Sequence, residues 1–134
     1  MIKSLKVLIV EDDEASATLL NLIVSKYFNY VLQAYSGAEA VDLCLSNHDI
    51  DLILMDIKMP EMNGYEATRR IRQFNQDVII IAQTAYALMN DRKEALASGC
   101  NDYISKPLTR DLLIELIKKY FIISLTGANS NKVI

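Results

Sequence analysis

Punctuating and stapling residues are scarce in this chain. Its 134 residues include 4 glycines, 2 prolines, 2 cysteines and a single histidine. The two cysteines, Cys44 and Cys100, lack the spacing of metal ligands or of a disulfide framework, and read as reduced thiols. His48 lies in the polar stretch "LSNHDID" and reads as a solvated loop residue rather than a phosphohistidine. Four glycines leave no GxxxxGK[ST] loop for a nucleotide phosphate. Positive charge is also short: 14 Lys and Arg against 17 Asp and Glu, a net charge of −3. No basic surface therefore speaks for nucleic acid or anionic lipid. No apolar run approaches the roughly 20 residues of a membrane span. The start, "MIKSLKVLIVEDD", is too short and turns acidic too soon for a signal peptide. A cytoplasmic protein, or the cytoplasmic portion of something larger, is expected.

What is present is an alternation. Five short apolar runs recur: "KVLIV" (6–10), "VLQAY" (31–35), "DLILM" (51–55), "VIIIAQ" (78–83) and "DYIS" (102–105). The first, third and fourth are nearly continuous hydrophobics, as strands are when both faces are covered. Helical periods lie between them. Ala15, Leu19, Leu22, Ile23 and Tyr27 form one inner stripe. Ala40, Val41, Cys44 and Leu45 form another after Ser36 as N-cap. Residues 64–74 offer Tyr65, Ala67, Thr68, Ile71 and Phe74. A fourth helix ends at Gly99, and a fifth begins at Thr109 after Pro107. Five β-α units in series predict a doubly wound α/β fold with a five-stranded parallel sheet and right-handed crossovers. Residues 1–123 are read as one domain and 124–134 as a flexible tail.

Ligands of open α/β sheets bind beyond the carboxyl ends of the strands. The first strand ends in Glu11, Asp12 and Asp13, the third in Asp56, the fourth in Thr84 and the fifth in Lys106. Carboxylates, a hydroxyl and an ammonium would converge on one edge. Clustered carboxylates without an arginine suit a hard divalent cation. Asp56, at the centre, could attack phosphorus and form an aspartyl-phosphate. Lys106 and Thr84 would receive the phosphoryl oxygens. Asp13 and Glu14 read instead as first-turn acids that suit a helix dipole.

Four segments, "VEDD", "MDIKMPEMNGYEA", "QTAYA" and "DYISKP", closely resemble the receiver domain of two-component response regulators over residues 5–121. The resemblance implies a flavodoxin-like (βα)5 fold with strand order 2-1-3-4-5. It implies Asp56 as phospho-acceptor, with Thr84 and Lys106 binding the phosphoryl group. Mg²⁺ (or Mn²⁺) would be held by Glu11, Asp12, Asp56 and the backbone carbonyl of Lys58. Thr84 and Tyr103 would form a switch, and Lys106–Pro107 a cis bond. Lys58 and Tyr86, two residues beyond Asp56 and Thr84, are expected to tune phosphoryl lifetime. The implied partner is a histidine kinase or a histidine phosphotransfer domain, with a phosphorylation-dependent dimer as a further option. No direct contact with nucleic acid or membrane is expected. The domain would be a signalling switch, catalysing only its own phosphorylation and dephosphorylation. The wording of its motifs looks more like hybrid-kinase receivers than transcription-factor ones.

Two rival readings use the same architecture. A flavin or nucleotide carrier wants a glycine- or hydroxyl-rich loop after the first strand, where this chain has acids. An aspartyl-phosphate hydrolase usually carries a second aspartate two residues after the nucleophile, where this chain has Lys58.

Overall fold

The computed structural model describes residues 4–85 and 89–121. Five strands, β1 (Lys6–Val10), β2 (Tyr30–Ala34), β3 (Leu52–Asp56), β4 (Ile79–Thr84) and β5 (Asp102–Ser105), alternate with five helices. The helices are α1 (Glu14–Val24), α2 (Gly37–Ser46), α3 (Gly64–Arg72), α4 (Met89–Ser98) and α5 (Arg110–Phe121). The strands form one sheet in the order β2-β1-β3-β4-β5, with parallel pairing throughout. Both the alternation and the strand order expected from the sequence are therefore found. Tyr86 and residues 124–134, for which roles were expected, lie outside the described residues.

Each β-α junction has a local cause. The side chains of Asp13, Ser36 and Asn63 accept from the third backbone N–H beyond them, those of Ser16, Glu39 and Glu66. Thr109 does the same for Leu112 at 3.2 Å. These caps satisfy donors that a helix start leaves orphaned. Arg69, Arg70 and Arg72 close α3, favourably against its dipole. After α4 the chain turns at Gly99, whose φ of 113° suits a residue without Cβ.

Side chains of successive strand residues point to opposite faces, so the sheet separates two cores. Val7, Ile9, Leu52, Leu54, Ile81 and Ile104 pack under α1 and α5. Leu8, Val10, Ile53, Met55, Ile80 and Ala82 pack under α2, α3 and α4. By this parity Glu11, Asp56, Gln83 and Lys106 fall in the α1/α5 set at the carboxyl edge. Thr84 and Tyr103 fall in the other. Lys106–Pro107 is cis.

Two helix faces differ from the expected ones. On α1 the buried residues are Ala17, Leu20 and Val24, whereas Leu19 and Leu22 are 56% and 61% exposed. Apolar residues run almost all round this helix, so the 3.6 period fits two stripes one residue apart. The choice falls to the shape of the sheet. On α2, Ala40 and Cys44 are buried as expected, but Leu45 is half exposed.

Candidate phosphoryl and metal site

Glu11 follows β1 and is held there by its backbone N–H, which donates to the Ala34 carbonyl at 3.0 Å. Its carboxylate is almost wholly buried and both oxygens are used. Oε2 accepts from the Asp13 backbone N–H at 3.1 Å, and Oε1 accepts from Lys106 Nζ at 2.9 Å. Asp56 ends β3, itself buried along its whole length. Its Oδ1 lies 3.1 Å from the same Lys106 ammonium. The loop after β3 is drawn tight by the Gly64 N–H donating to the Ile57 carbonyl at 2.9 Å. A Cβ on Gly64 would meet the Asp56 carbonyl oxygen at 2.3 Å, so only glycine lets α3 start this close to the Asp56 backbone.

Burying two acids side by side has an electrostatic consequence. Asp56 is only 3% exposed. Burial first, and the Glu11 charge second, push its pKa up from 3.8 to about 7, against the opposing pull of Lys106. Burial works against the Lys106 charge, yet Glu11 and Asp56 outweigh it and hold its pKa above the usual value. Lys106 is thus a clamp shared by two carboxylates. From the sequence it is expected to meet only phosphoryl oxygens.

One oxygen from each of Glu11, Asp12 and Asp56 falls within a 4.8 Å cluster. Three hard oxygen donors at that spacing, two buried and Asp12 exposed, fit a divalent cation that keeps part of its water shell. Thr84 is buried at the end of β4 and, on the other face, lines a cavity with Lys58, Tyr65, Asp91 and Glu94. The Tyr65 hydroxyl donates to the Asp91 carbonyl at 3.3 Å, joining α3 to the first turn of α4. Tyr103, part-buried, packs against the core of that same face. The structure therefore brings Glu11, Asp12, Asp56 and Lys106 together. It sets Thr84 beside them but on the far side of the sheet, with Lys58 exposed in the loop after β3.

Gln83 belongs to the apolar strand run and is the residue of it nearest the site. It pairs in register with Asp56, is 1% exposed, and its Nε2 has no hydrogen-bond partner among the described residues. The signal was there: one amide in the apolar run "VIIIAQ".

Among the described residues, no helix is long and apolar enough to cross a membrane. A family model described as the response regulator receiver domain matches residues 7–118. The chain is 38% identical over 116 residues to the polar-differentiation response regulator DivK of Brucella ovis, covering 85% of this chain and 94% of that one. It is 37% identical over 130 residues to hybrid signal transduction histidine kinase B of Dictyostelium discoideum, covering 86% of this chain but 6% of that kinase. Among solved structures, the Saccharomyces cerevisiae complex of the histidine phosphotransfer protein Ypd1 with the receiver domain of Ssk1 superposes with a TM-score of 0.80. That match has 33% identity and covers 90% of each chain. The Borrelia burgdorferi CheX–CheY–BeF3–Mg complex superposes at 0.81, with 30% identity over 87% of this chain and 89% of that one.

Proposed function

The chain belongs to the response regulator receiver family of two-component signalling, and from that premise we propose that Asp56 is its phospho-acceptor. The observation that carries the reading is the Lys106 ammonium bridging Asp56 and Glu11 within 3.1 Å at a sheet edge otherwise rich in carboxylate. The donor is a phosphohistidine on a histidine kinase or a histidine phosphotransfer domain. An Asp56 oxygen forms a bond to phosphorus as the P–N bond breaks. The electron pair returns to the imidazole, which takes a proton from solvent. Lys106 leaves Asp56 for the phosphoryl oxygens, and the Thr84 hydroxyl donates to another of them.

Asp12, Asp56 and the Lys58 carbonyl would hold Mg²⁺ or Mn²⁺, with Glu11 acting largely through water. When bound, the cation neutralises charge on the transferring phosphoryl group. Residues 1–123 would act as one receiver unit in the cytoplasm. Lys58 and Tyr86 would set the lifetime of the phosphorylated form. Drawing Thr84 inward would open space for Tyr103 and alter the surface of α4, β5 and α5. The exposed Leu19 and Leu22 of α1, beside the site, suit a partner that must cover Asp56 to deliver its phosphoryl group.

The test is mass spectrometry after incubation with acetyl phosphate. The parent gains one phosphoryl group only when a divalent cation is present, and Asp56→Asn gains none. Equal labelling of the variant would overturn the assignment.

A further inference from the structure

Gln83 is placed where a hydrogen-bond donor should matter, and among the described residues its amide has nothing to donate to. Its side chain shares the α1/α5 face with Asp56, its register partner on β3, and with Ile104, its partner on β5. It lines a groove of about 260 Å³ together with Glu11, Ser16, Leu20, Lys106 and Pro107. Lys106 starts from the end of β5 and reaches Asp56 on β3 and Glu11 on β1. In the order β1-β3-β4-β5 its side chain has to cross the end of β4, where Gln83 sits. A buried amide without a partner is a standing cost in this state. Neighbouring strands lie about 4.8 Å apart, so rotation of Gln83 about its own side-chain bonds brings Nε2 within reach of an Asp56 oxygen on its register partner. That oxygen is held by Lys106 here.

Resting on the reading of Asp56 as phospho-acceptor, we propose that Gln83 is a further catalytic residue: its amide donates to the Asp56 oxygen once Lys106 has moved to the phosphoryl group, and so speeds loss of the phosphoryl group. In hydrolysis a water oxygen forms a bond to phosphorus and the bond from phosphorus to the Asp56 oxygen breaks. The electron pair stays on Asp56, and the water proton leaves with inorganic phosphate or to solvent. Negative charge grows on the Asp56 oxygen, and a donor already aimed at it stabilises that charge without reorganising solvent. Gln83 thereby works on the opposite side of the sheet from Lys58, which lines the Thr84 cavity.

Two variants remove the donor while keeping the volume, Gln83→Leu and Gln83→Met. Each is labelled with acetyl phosphate and Mg²⁺, freed of donor, and followed by the decay of the phosphorylated mass. The expected result is a lifetime about tenfold longer than the parent's, the worth of one hydrogen bond to a charged group. Melting of the metal-free variants should be no lower than the parent's, since an unpartnered amide has been replaced by a side chain that needs no partner. The second arm needs no variant: the Gln83 side-chain amide resonances of the parent should shift on adding Mg²⁺ with beryllofluoride. Lifetimes within twofold of the parent's, or amide resonances indifferent to beryllofluoride, would overturn the inference. A parent that takes up no phosphoryl group would instead overturn the reading of Asp56 on which it rests.

Discussion

Replacing Asp56 by asparagine should make the metal-free protein more stable, and by an amount that depends on pH. Burial and the Glu11 charge lift the Asp56 pKa from 3.8 to about 7. Between those values the native state holds a proton that the unfolded chain gives up. Stability from this group is therefore complete below about pH 4 and is lost as pH rises through about 7. A shift of about 3 pH units at 1.36 kcal/mol each sets a ceiling of roughly 4 kcal/mol. Asparagine nearly matches the protonated acid in shape and carries no charge to desolvate. Part of the gain is offset because Lys106 loses one of its two carboxylate partners, while keeping Glu11 at 2.9 Å. The net expectation at pH 7.5 is about 2–3 kcal/mol, or a melting point higher by roughly 6–12 °C for a domain of this size.

The assay is urea unfolding of parent and variant in a chelating buffer at pH 4.5, 6 and 7.5. Other acids titrate over the same range, but they are common to both proteins and drop out of the difference. The gap should be smallest at pH 4.5 and widen through pH 7. Equal stabilities at pH 7.5, or a gap that stays constant with pH, would refute the picture of a strained acid pair at the site.

Other outcomes follow from the same geometry. Millimolar Mg²⁺ should raise the melting point of the parent by mass action on the native state, whereas Asp12→Asn should raise the metal-free melting point and blunt the response to Mg²⁺. A parent indifferent to Mg²⁺ in thermal scans would remove the metal site. Gly64→Ala forces its Cβ to within 2.3 Å of the Asp56 carbonyl oxygen and 2.9 Å of the Ile57 Cα, both backbone atoms with little room to move. It should cost about 2–3 kcal/mol in urea unfolding and slow labelling of Asp56. Unchanged stability would mean that the loop after β3 is softer than its contacts imply.

The fold was legible because its strands are buried on both faces. Runs such as "KVLIV" and "DLILM" can hardly be anything but central parallel strands, and each run's end marks the edge where side chains must gather. Glu11, Asp56, Thr84 and Lys106 could thus be found by position before any contact was known. What stayed hidden was phase and reach. Leu19 and Leu20 are equally apolar, and only the curvature of the sheet decides which of them faces in. The grip of Lys106 on Glu11 and Asp56 depends on a lysine crossing an entire strand, which no spacing along the chain encodes. Gln83 does not stand out because strand patterns average over residues, and a single amide among isoleucines weighs little in an average.

The parity of β4 gives this site two outlets. Gln83 and Thr84 are adjacent in sequence and so point to opposite faces of the sheet. Gln83 faces the groove shared with Glu11, Lys106 and Pro107. Thr84 faces the cavity shared with Tyr65, Asp91 and Glu94. Both side chains are almost fully buried, so neither can respond to the site by moving freely into solvent. Any rearrangement at Asp56 has to be taken up by packing on one face or the other. On the Thr84 face the yielding element is the first turn of α4, tied to α3 by the hydrogen bond from Tyr65 to the Asp91 carbonyl. On the Gln83 face the yielding element is Lys106, which is exposed enough to swing and is held by the two acids whose mutual repulsion it relieves. The lysine is the softer of the two, because moving it breaks ion pairs that a phosphoryl group can replace at once. Moving the α4 turn breaks a hydrogen bond that the phosphoryl group does not replace. On the proposed reading, phosphoryl transfer would proceed through Lys106, and loss of the phosphoryl group through Gln83, without first displacing α4, so that a change of partner-binding surface would be a separate, later event with its own free energy.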